Sequence, residues 1–311
     1  MAGHHRLAAD KVHYEWNNAL APRLEVDPGD TVVFDTRDAA DGYYSRASSH
    51  ADVLARGPFR GHPLTGPVRV RGAVPGDTLV VEVLDMHPGA DFGWTAIRPG
   101  RGLLPEAEFP EPHLVIWDLS DGAFARMGRG IAVPVAPFPG VMGTALDDPG
   151  GHSTMPPRKN GGNMDIKQLT AGSTLYLPVW VGGALFSAGD GHAAQGDGEV
   201  CVTAVEMAAQ VTLRFGLQRG RPLPEPRLRT RAAPTRPRDG TCFVTTAHGP
   251  DLFASAQQAV RYMIDHLGEE RGLSREEAYI LASVAVDLSI SEIVDAPNWI
   301  VSASLPESVF V

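Results

Sequence analysis

Cysteine is nearly absent: Cys201 and Cys242 are the only two in 311 residues. Two thiols cannot staple a chain of this size, so burial must hold the fold, and a reducing, cytoplasmic compartment is expected. Neither belongs to a CxxC pair, which excludes the common zinc-ribbon and dithiol redox motifs. Positive charge is also short, with 27 Lys and Arg against 37 Asp and Glu and a formal net charge of −10. That balance argues against a nucleic-acid partner, whose affinity rests on neutralised phosphates, and against an anionic membrane surface. No apolar run approaches the ~20 residues that span a bilayer, and Met1 to Leu7 lacks the apolar core of a secretory signal. Several enzyme signatures are missing too: no G-x-S-x-G elbow, no Walker A loop, no H-E-x-x-H, and no G-x-G-x-x-G opening a βαβ unit.

What is abundant is turn chemistry. The 34 glycines and 26 prolines make up nearly a fifth of the chain and recur at short intervals, the texture of many strands joined by turns. An apolar fraction of 43% with 21% charged residues is enough for a sizeable core. One element repeats. Pro28-Gly29-Asp30-Thr31-Val32-Val33-Phe34 is echoed by Pro75-Gly76-Asp77-Thr78-Leu79-Val80-Val81, and more loosely by Ala171-Gly172-Ser173-Thr174-Leu175-Tyr176-Leu177. Each reads as a turn opening onto a strand at corresponding places in a sandwich or barrel. Further strands are expected at Val68 to Val74, Thr78 to Leu84, Gly130 to Val135, Leu175 to Phe186 and Glu199 to Glu206.

The pattern changes twice. From Arg219 to Gly240, five prolines stand among seven arginines, which rules out a helix or central strand and predicts an extended crossing segment. Beyond it, Phe253, Ala256, Val260, Met263 and Leu267 recur at helical steps, with Asp251 as N-cap and Gly268 as terminator. Ser274-Arg275-Glu276-Glu277 has the form of a capping box opening a second helix through Ala285. Trp299 to Ala303 reads as a closing strand. The expected fold is mainly β, with sandwich- or barrel-like subdomains and a C-terminal α+β portion. Its expected units are a β-rich catalytic region over 1–215, the crossing segment over 216–250, and the α+β portion over 251–311.

The chemistry concentrates in Gly189-Asp-Gly-His-Ala-Ala-Gln-Gly-Asp-Gly-Glu199, where ligand and proton-transfer groups stand among glycines. A second such cluster, Gly161-Gly162-Asn163-Met164-Asp165, precedes it across an apolar interval; as two polar, glycine-rich loops flanking one apolar hairpin, the clusters are expected to bring Asp165 near Asp190 and His192. Asp38, at the end of the strand entered at Pro28, would complete an oxygen-plus-nitrogen ligand set of Asp38, Asp165, Asp190 and His192. The imidazole favours zinc; oxygens alone would suit calcium. Such an ion would acidify a bound water and polarise a carbonyl, Glu199 would take the water's proton, and backbone amides around Gly162 and Asn163 would face the developing oxyanion. Asp165 and Asp197 are alternative bases. His50 and His62 are secondary ligand candidates, and Trp94, Phe138 and Trp180 are candidate cavity walls.

These same segments resemble the acetamidase/formamidase family. The resemblance rests on Gly161-Gly-Asn-Met-Asp165, Leu177-Pro-Val179, the Gly189 to Glu199 run, His62-Pro-Leu-Thr-Gly-Pro67 and Glu277-Ala-Tyr-Ile-Leu-Ala-Ser-Val284. It extends from about Val26 to the C-terminus. It implies hydrolysis of short aliphatic amides to carboxylate and ammonia on a largely β fold, with an associated metal ion. Lactam hydrolysis on the same fold is the alternative, and a non-enzymatic sandwich with a structural ion is a third reading. The expected partner is a small amide substrate, and a homodimer is the expected assembly.

Overall fold

The recurring turns have a common physical role. Asp30 Oδ2 accepts the Asp27 N–H (2.9 Å), and Asp77 Oδ2 accepts the Val74 N–H (3.1 Å), each closing a turn just before a strand. The other oxygen of each tethers a distant segment, Gly3 N for Asp30 and Gly220 N for Asp77. The third copy keeps the backbone turn, Ser173 N to Thr170 O, but the Ser173 hydroxyl makes no matching bond. In this computed structural model, which describes residues 2–230 and 240–311, all three turns feed one sheet.

That sheet has six strands in the order His4–Leu7, Thr31–Thr36, Ala209–Gln218, Thr78–Pro88, Thr174–Pro178, Arg227–Arg229. Only the first pair is parallel. An eleven-stranded sheet packs on it and carries the chemistry. Its central run is Phe92–Ile97, Glu206–Met207, Phe186–His192, Phe138–Gly143 and Gly161–Asn163, all antiparallel. Phe34 and Phe215 of the smaller sheet meet Phe186 of the larger edge-to-face, at 5.8 and 5.1 Å between centroids, in the seam between the sheets. Strands hold 39% of the residues and helices 14%, so the fold is mainly β, as the turn-rich sequence predicts.

Several boundaries differ from the sequence reading. Gly189 to His192 lies inside a buried strand rather than a loop. A Cβ on Gly189 would stand 2.8 Å from the Pro63 carbonyl, and one on Gly191 2.7 Å from Ala209 Cβ, so these glycines let neighbouring chains close in. The expected Leu175 to Phe186 strand splits in two because Gly183, Ala184 and Leu185 take left-handed backbone between them. Of Glu199 to Glu206, only Glu206 is in a strand. Glu199 and Val202 are left-handed, and Val202 N turns back to Glu199 O at 2.8 Å. The expected Val68 to Val74 strand runs over Leu64–Val70, ending at a turn that includes Gly72. The arginine- and proline-rich segment pairs at a sheet edge over Arg227–Arg229; Arg231, Pro234, Arg236, Pro237 and Arg238 lie outside the described residues.

The C-terminal part is α+β. Following the short helix α1 (His50–Ala55) much earlier in the chain, helices α2 (Leu252–Arg271) and α3 (Arg275–Ala285) pack with a three-stranded sheet of Cys242–Gly249, Trp299–Pro306 and Asp287–Glu292. Asp251 caps α2 through Ala254 N, and the Ser274/Glu277 capping box opens α3. Gly268 sits within α2; its terminator is Gly272, whose φ of 62° is the left-handed C-cap that glycine tolerates. Helix α3 also clamps the segment carrying Glu199. The Tyr279 hydroxyl donates to Val200 O, and Ser283 Oγ accepts from Cys201 N (3.1 Å) while donating to Thr203 O (2.8 Å). No helix among the described residues is long and apolar enough to cross a membrane.

Candidate active site

Strand register assembles the site. Asp190 and His192 are two apart on Phe186–His192 and project to one face. His192 pairs across the ladder with Glu206, which sets that carboxylate 3.2 Å from His192 Nε2. On the other side, Phe138–Gly143 pairs with both Phe186–His192 and Gly161–Asn163. Asp165 follows the latter strand, its N–H held by Gly140 O at 3.2 Å. The two acidic clusters therefore do converge, but through the intervening strand rather than as one hairpin. Asp165, Asp190 and Glu199 all have left-handed backbone, φ 47°, 59° and 43°. Such conformers cost about 1–3 kcal/mol for a non-glycine residue and cluster where side-chain aim matters.

His192 is oriented from both sides. Its Nδ1 meets Gln195 Oε1 at 2.9 Å, and Gln195 Nε2 donates to Asp165 O at 2.8 Å. Because that amide group is already committed to a carbonyl, Gln195 presents an acceptor, so Nδ1 carries the hydrogen and Nε2 faces the acids. Phe138 supports the ring edge-on at 5.1 Å. Asp190 Oδ2 lies 3.4 Å from His192 Nε2 and 3.8 Å from His62 Nε2. His62 is buried, with its backbone N–H and Nδ1 both on Thr154 Oγ1.

Ligand atoms of Asp165, His192 and Glu199, and of Asp190, His192 and Glu206, lie within 4.8 Å of one another in each group. The acceptor inventory fits an ion there. Asp165 Oδ1 and Asp190 Oδ1 are buried without a hydrogen-bond partner, which is costly unless something positive meets them, while Glu206 Oε2 already faces His192 Nε2 at 3.2 Å. Asp165 Oδ1 borders a gap that exists because residue 140 is glycine: a Cβ there would stand 2.6 Å from Asp165 Oδ1, 2.9 Å from the other Asp190 oxygen, Oδ2, and 2.9 Å from His192 Cε1.

The same crowding separates the protonation states. Burial lifts Asp165 to about 7, with Asp190 adding and His192 opposing, and burial lifts Glu206 to about 7 against the pull of His192. Glu199 is raised well above the usual carboxyl range by burial and by the neighbouring Asp165. Burial would raise Asp190 as well, but the imidazoles of His62 and His192 outweigh it and hold Asp190 below the usual range. His192 is pushed up, the Glu206 and Asp190 carboxylates overcoming its burial. Carboxyls driven apart in this way can act as acid and base near neutrality.

Above this floor opens a cavity of about 430 Å³, walled by Tyr44, Phe59 and Trp94 with Arg56, Arg98 and Arg101, and reaching Asn163, Asp165, Asp190, Glu199 and Glu206. Trp94 is a wall, as the sequence suggested. Phe138 lies instead beneath His192, and Trp180 stands under the Lys159 ammonium. Asp38 falls outside the cluster because its oxygens accept from Ala40 N (2.7 Å), Gly42 N (3.1 Å) and Trp94 Nε1 (3.3 Å). Asn163 donates to Met155 O, leaving its own Oδ1 unpaired, and Gly162 lies in the ladder opposite Met142, outside the cavity walls. His50 accepts from Leu114 N and stacks on His113, away from the cluster. The sequence reading missed Glu206 and Gln195; a lone Glu between Val205 and Met207 in an apolar stretch was the available signal for the first.

The family model for acetamidases and formamidases matches residues 3–149 and 148–311. The chain belongs to the acetamidase/formamidase family. Among its relatives, the formamidase of Methylophilus methylotrophus is 31% identical, with 96% of this chain and 89% of that protein aligned. An acetamidase structure from Bacillus halodurans is 34% identical at TM-score 0.68, covering 98% of each chain. A gamma lactamase from Delftia acidovorans superposes at TM-score 0.89 with 28% identity, over 98% of this chain and 93% of that one. As a member of the acetamidase/formamidase family, the chain is a hydrolase of carbon–nitrogen bonds in linear amides.

Proposed function

We propose that the chain cleaves short aliphatic amides to carboxylate and ammonia at the Asp165–Asp190–His192–Glu199 cluster, with a divalent ion held by His192, Asp165 and Asp190. The observation that carries the ion is the pair of unpaired buried carboxylate oxygens on Asp165 and Asp190, with both side chains meeting His192 at the Gly140 gap. Zinc suits an imidazole with carboxylates, whereas calcium would favour oxygens alone. When bound, the ion supplies Lewis acidity, polarising the amide carbonyl and lowering the pKa of water.

The chain's own residues supply the rest. Gln195 and Phe138 fix the imidazole so that Nε2 alone faces the site. Glu199, on a segment clamped by α3, lines the cavity and has a raised proton affinity, so its carboxylate takes a proton from water and returns it to the departing nitrogen. Asn163 reaches the same cavity and positions the amide through its side chain. Tyr44 and Trp94, 4.7 Å apart, exclude water from one wall. Two unpaired cysteines support a reducing cytoplasm as the compartment.

The 0.89 likeness to a gamma lactamase favours cyclic amides as the second reading, since a ring fits within the cavity. Glu199→Gln tests the first. The variant is expected to fold, retain its ion by elemental analysis, and release ammonia from acetamide roughly 10²–10⁴-fold more slowly. Loss of the ion would make Glu199 a ligand, and near-normal turnover would transfer the base role to another carboxylate.

A further inference from the structure

The cavity is larger than acetamide needs, and the part of its wall away from the acidic floor is cationic. Four heavy atoms at about 30 Å³ apiece fill on the order of 100 Å³, a fraction of the roughly 430 Å³ present. The unfilled part is walled by Arg56, Arg98 and Arg101. Arg56 donates to Ala39 O at 2.7 Å and Arg98 to Gly57 O at 2.5 Å, bonds that anchor each guanidinium and leave other N–H groups of its planar fork free. Among the described residues none of the three forms an ion pair, although most arginines that touch an acid here do so within about 3 Å. Arg56 feels the like charge of Arg98, and its nearest acids act only at a distance: Asp38, already bonded to three N–H groups, and Glu206 on the cavity floor. Arg101 is exposed, but Arg56, over the Phe59 ring at 5.8 Å, and Arg98 are half-buried neighbouring cations without a carboxylate partner, an arrangement that an anion would stabilise.

We propose that this arginine wall is an anion subsite, and that the preferred amide carries a carboxylate at the end remote from its scissile bond. The inference rests on the amidase reading of the acidic floor and adds the substrate class. A monoamide of a short dicarboxylic acid has the required form. Its amide reaches Asp165 and Glu199, its methylenes cross the Tyr44–Trp94 wall, and its carboxylate meets the guanidinium groups.

The test compares succinamate with levulinamide, a neutral isostere in which a methyl group replaces one carboxylate oxygen, using ammonia release by the purified, metal-containing protein. Wild-type kcat/KM is expected to favour succinamate by roughly tenfold to a hundredfold, the range of a charge-assisted hydrogen bond. Arg98→Gln should reduce that ratio at least tenfold through the KM of succinamate. Added salt should raise the same KM and leave that of levulinamide largely unmoved. Equal or better turnover of levulinamide by the wild type overturns the anion subsite while the amidase reading stands. An unchanged ratio in a folded Arg98→Gln protein removes Arg98 from it. Absence of ammonia from succinamate, levulinamide and acetamide alike would instead overturn the amidase reading.

Discussion

Replacing Gly140 by alanine adds one methyl group at the centre of the acidic cluster. Its Cβ would approach Asp165 Oδ1 to 2.6 Å, about 0.8 Å inside the 3.4 Å at which ordinary contact begins, and would crowd Asp190 Oδ2 and His192 Cε1 at 2.9 Å. None of these atoms is the end of a free chain. His192 is pinned by Gln195, and the Asp165 N–H is tied to Gly140 O. Overpacking of this kind costs about 1–3 kcal/mol, so the variant should fold with a melting temperature a few degrees lower. Coordination tolerates about ±0.2 Å, far less than the required retreat, so bound metal should fall well below the wild-type ratio. A displacement near 1 Å typically costs on the order of 10²-fold in rate, which is about 2.7 kcal/mol of barrier. Metal analysis, ammonia release and thermal denaturation on one preparation read all three effects. Gly182→Ala, where an added Cβ meets nothing within 4 Å, provides the baseline. A Gly140→Ala protein with full metal content and wild-type turnover would refute the placement of the ion in this gap.

Two further outcomes are expected. Asp38→Ala should lower thermal stability by about 1–3 kcal/mol, because Ala40 N, Gly42 N and Trp94 Nε1 lose their common acceptor, yet should keep its metal; loss of metal with an intact fold would restore Asp38 to the ligand set. Metal affinity should rise with pH through about 7 and beyond, since the protons on Asp165 and on His192, whose affinity for its proton is raised, must leave before these groups can bind a cation. The slope should approach tenfold per pH unit for each proton displaced, and a titration showing the same affinity one unit either side of about 7 would contradict it.

What could be read from the sequence was whatever local chemistry decides. The paired Pro-Gly-Asp turns, the Asp251 cap and the Ser274/Glu277 box each involve bonds between residues three apart, and each appears where the spacing placed it. The convergence of Asp165 with Asp190 and His192 was anticipated because both clusters border strands. Glu206 was missed because its relation to His192 is set by ladder register between chains fourteen residues apart, which no short motif encodes. The Gly189 to His192 run reads as a loop in the sequence for a related reason, although it lies in a strand. Its glycines signal close approach of neighbouring strands as readily as they signal a turn, and only the identity of the neighbours distinguishes the two. Asp38 was placed correctly at a strand end, but three nearby N–H groups claim its carboxylate.

The acidic floor of the cavity lies on or beside Phe138–Gly143, Gly161–Asn163 and Phe186–His192, adjacent strands whose backbone groups are tied to one another. The arginine wall hangs from element ends: Arg56 caps the short helix His50–Ala55, and Arg98 follows the last residue of Phe92–Ile97. Insertions and substitutions are absorbed far more readily at such ends than within a ladder. Mutation can therefore exchange the wall, enlarging, shrinking or neutralising the chamber, while the carboxylates and imidazole of the floor stay in register. A lineage built this way can change its substrate without reinventing its chemistry.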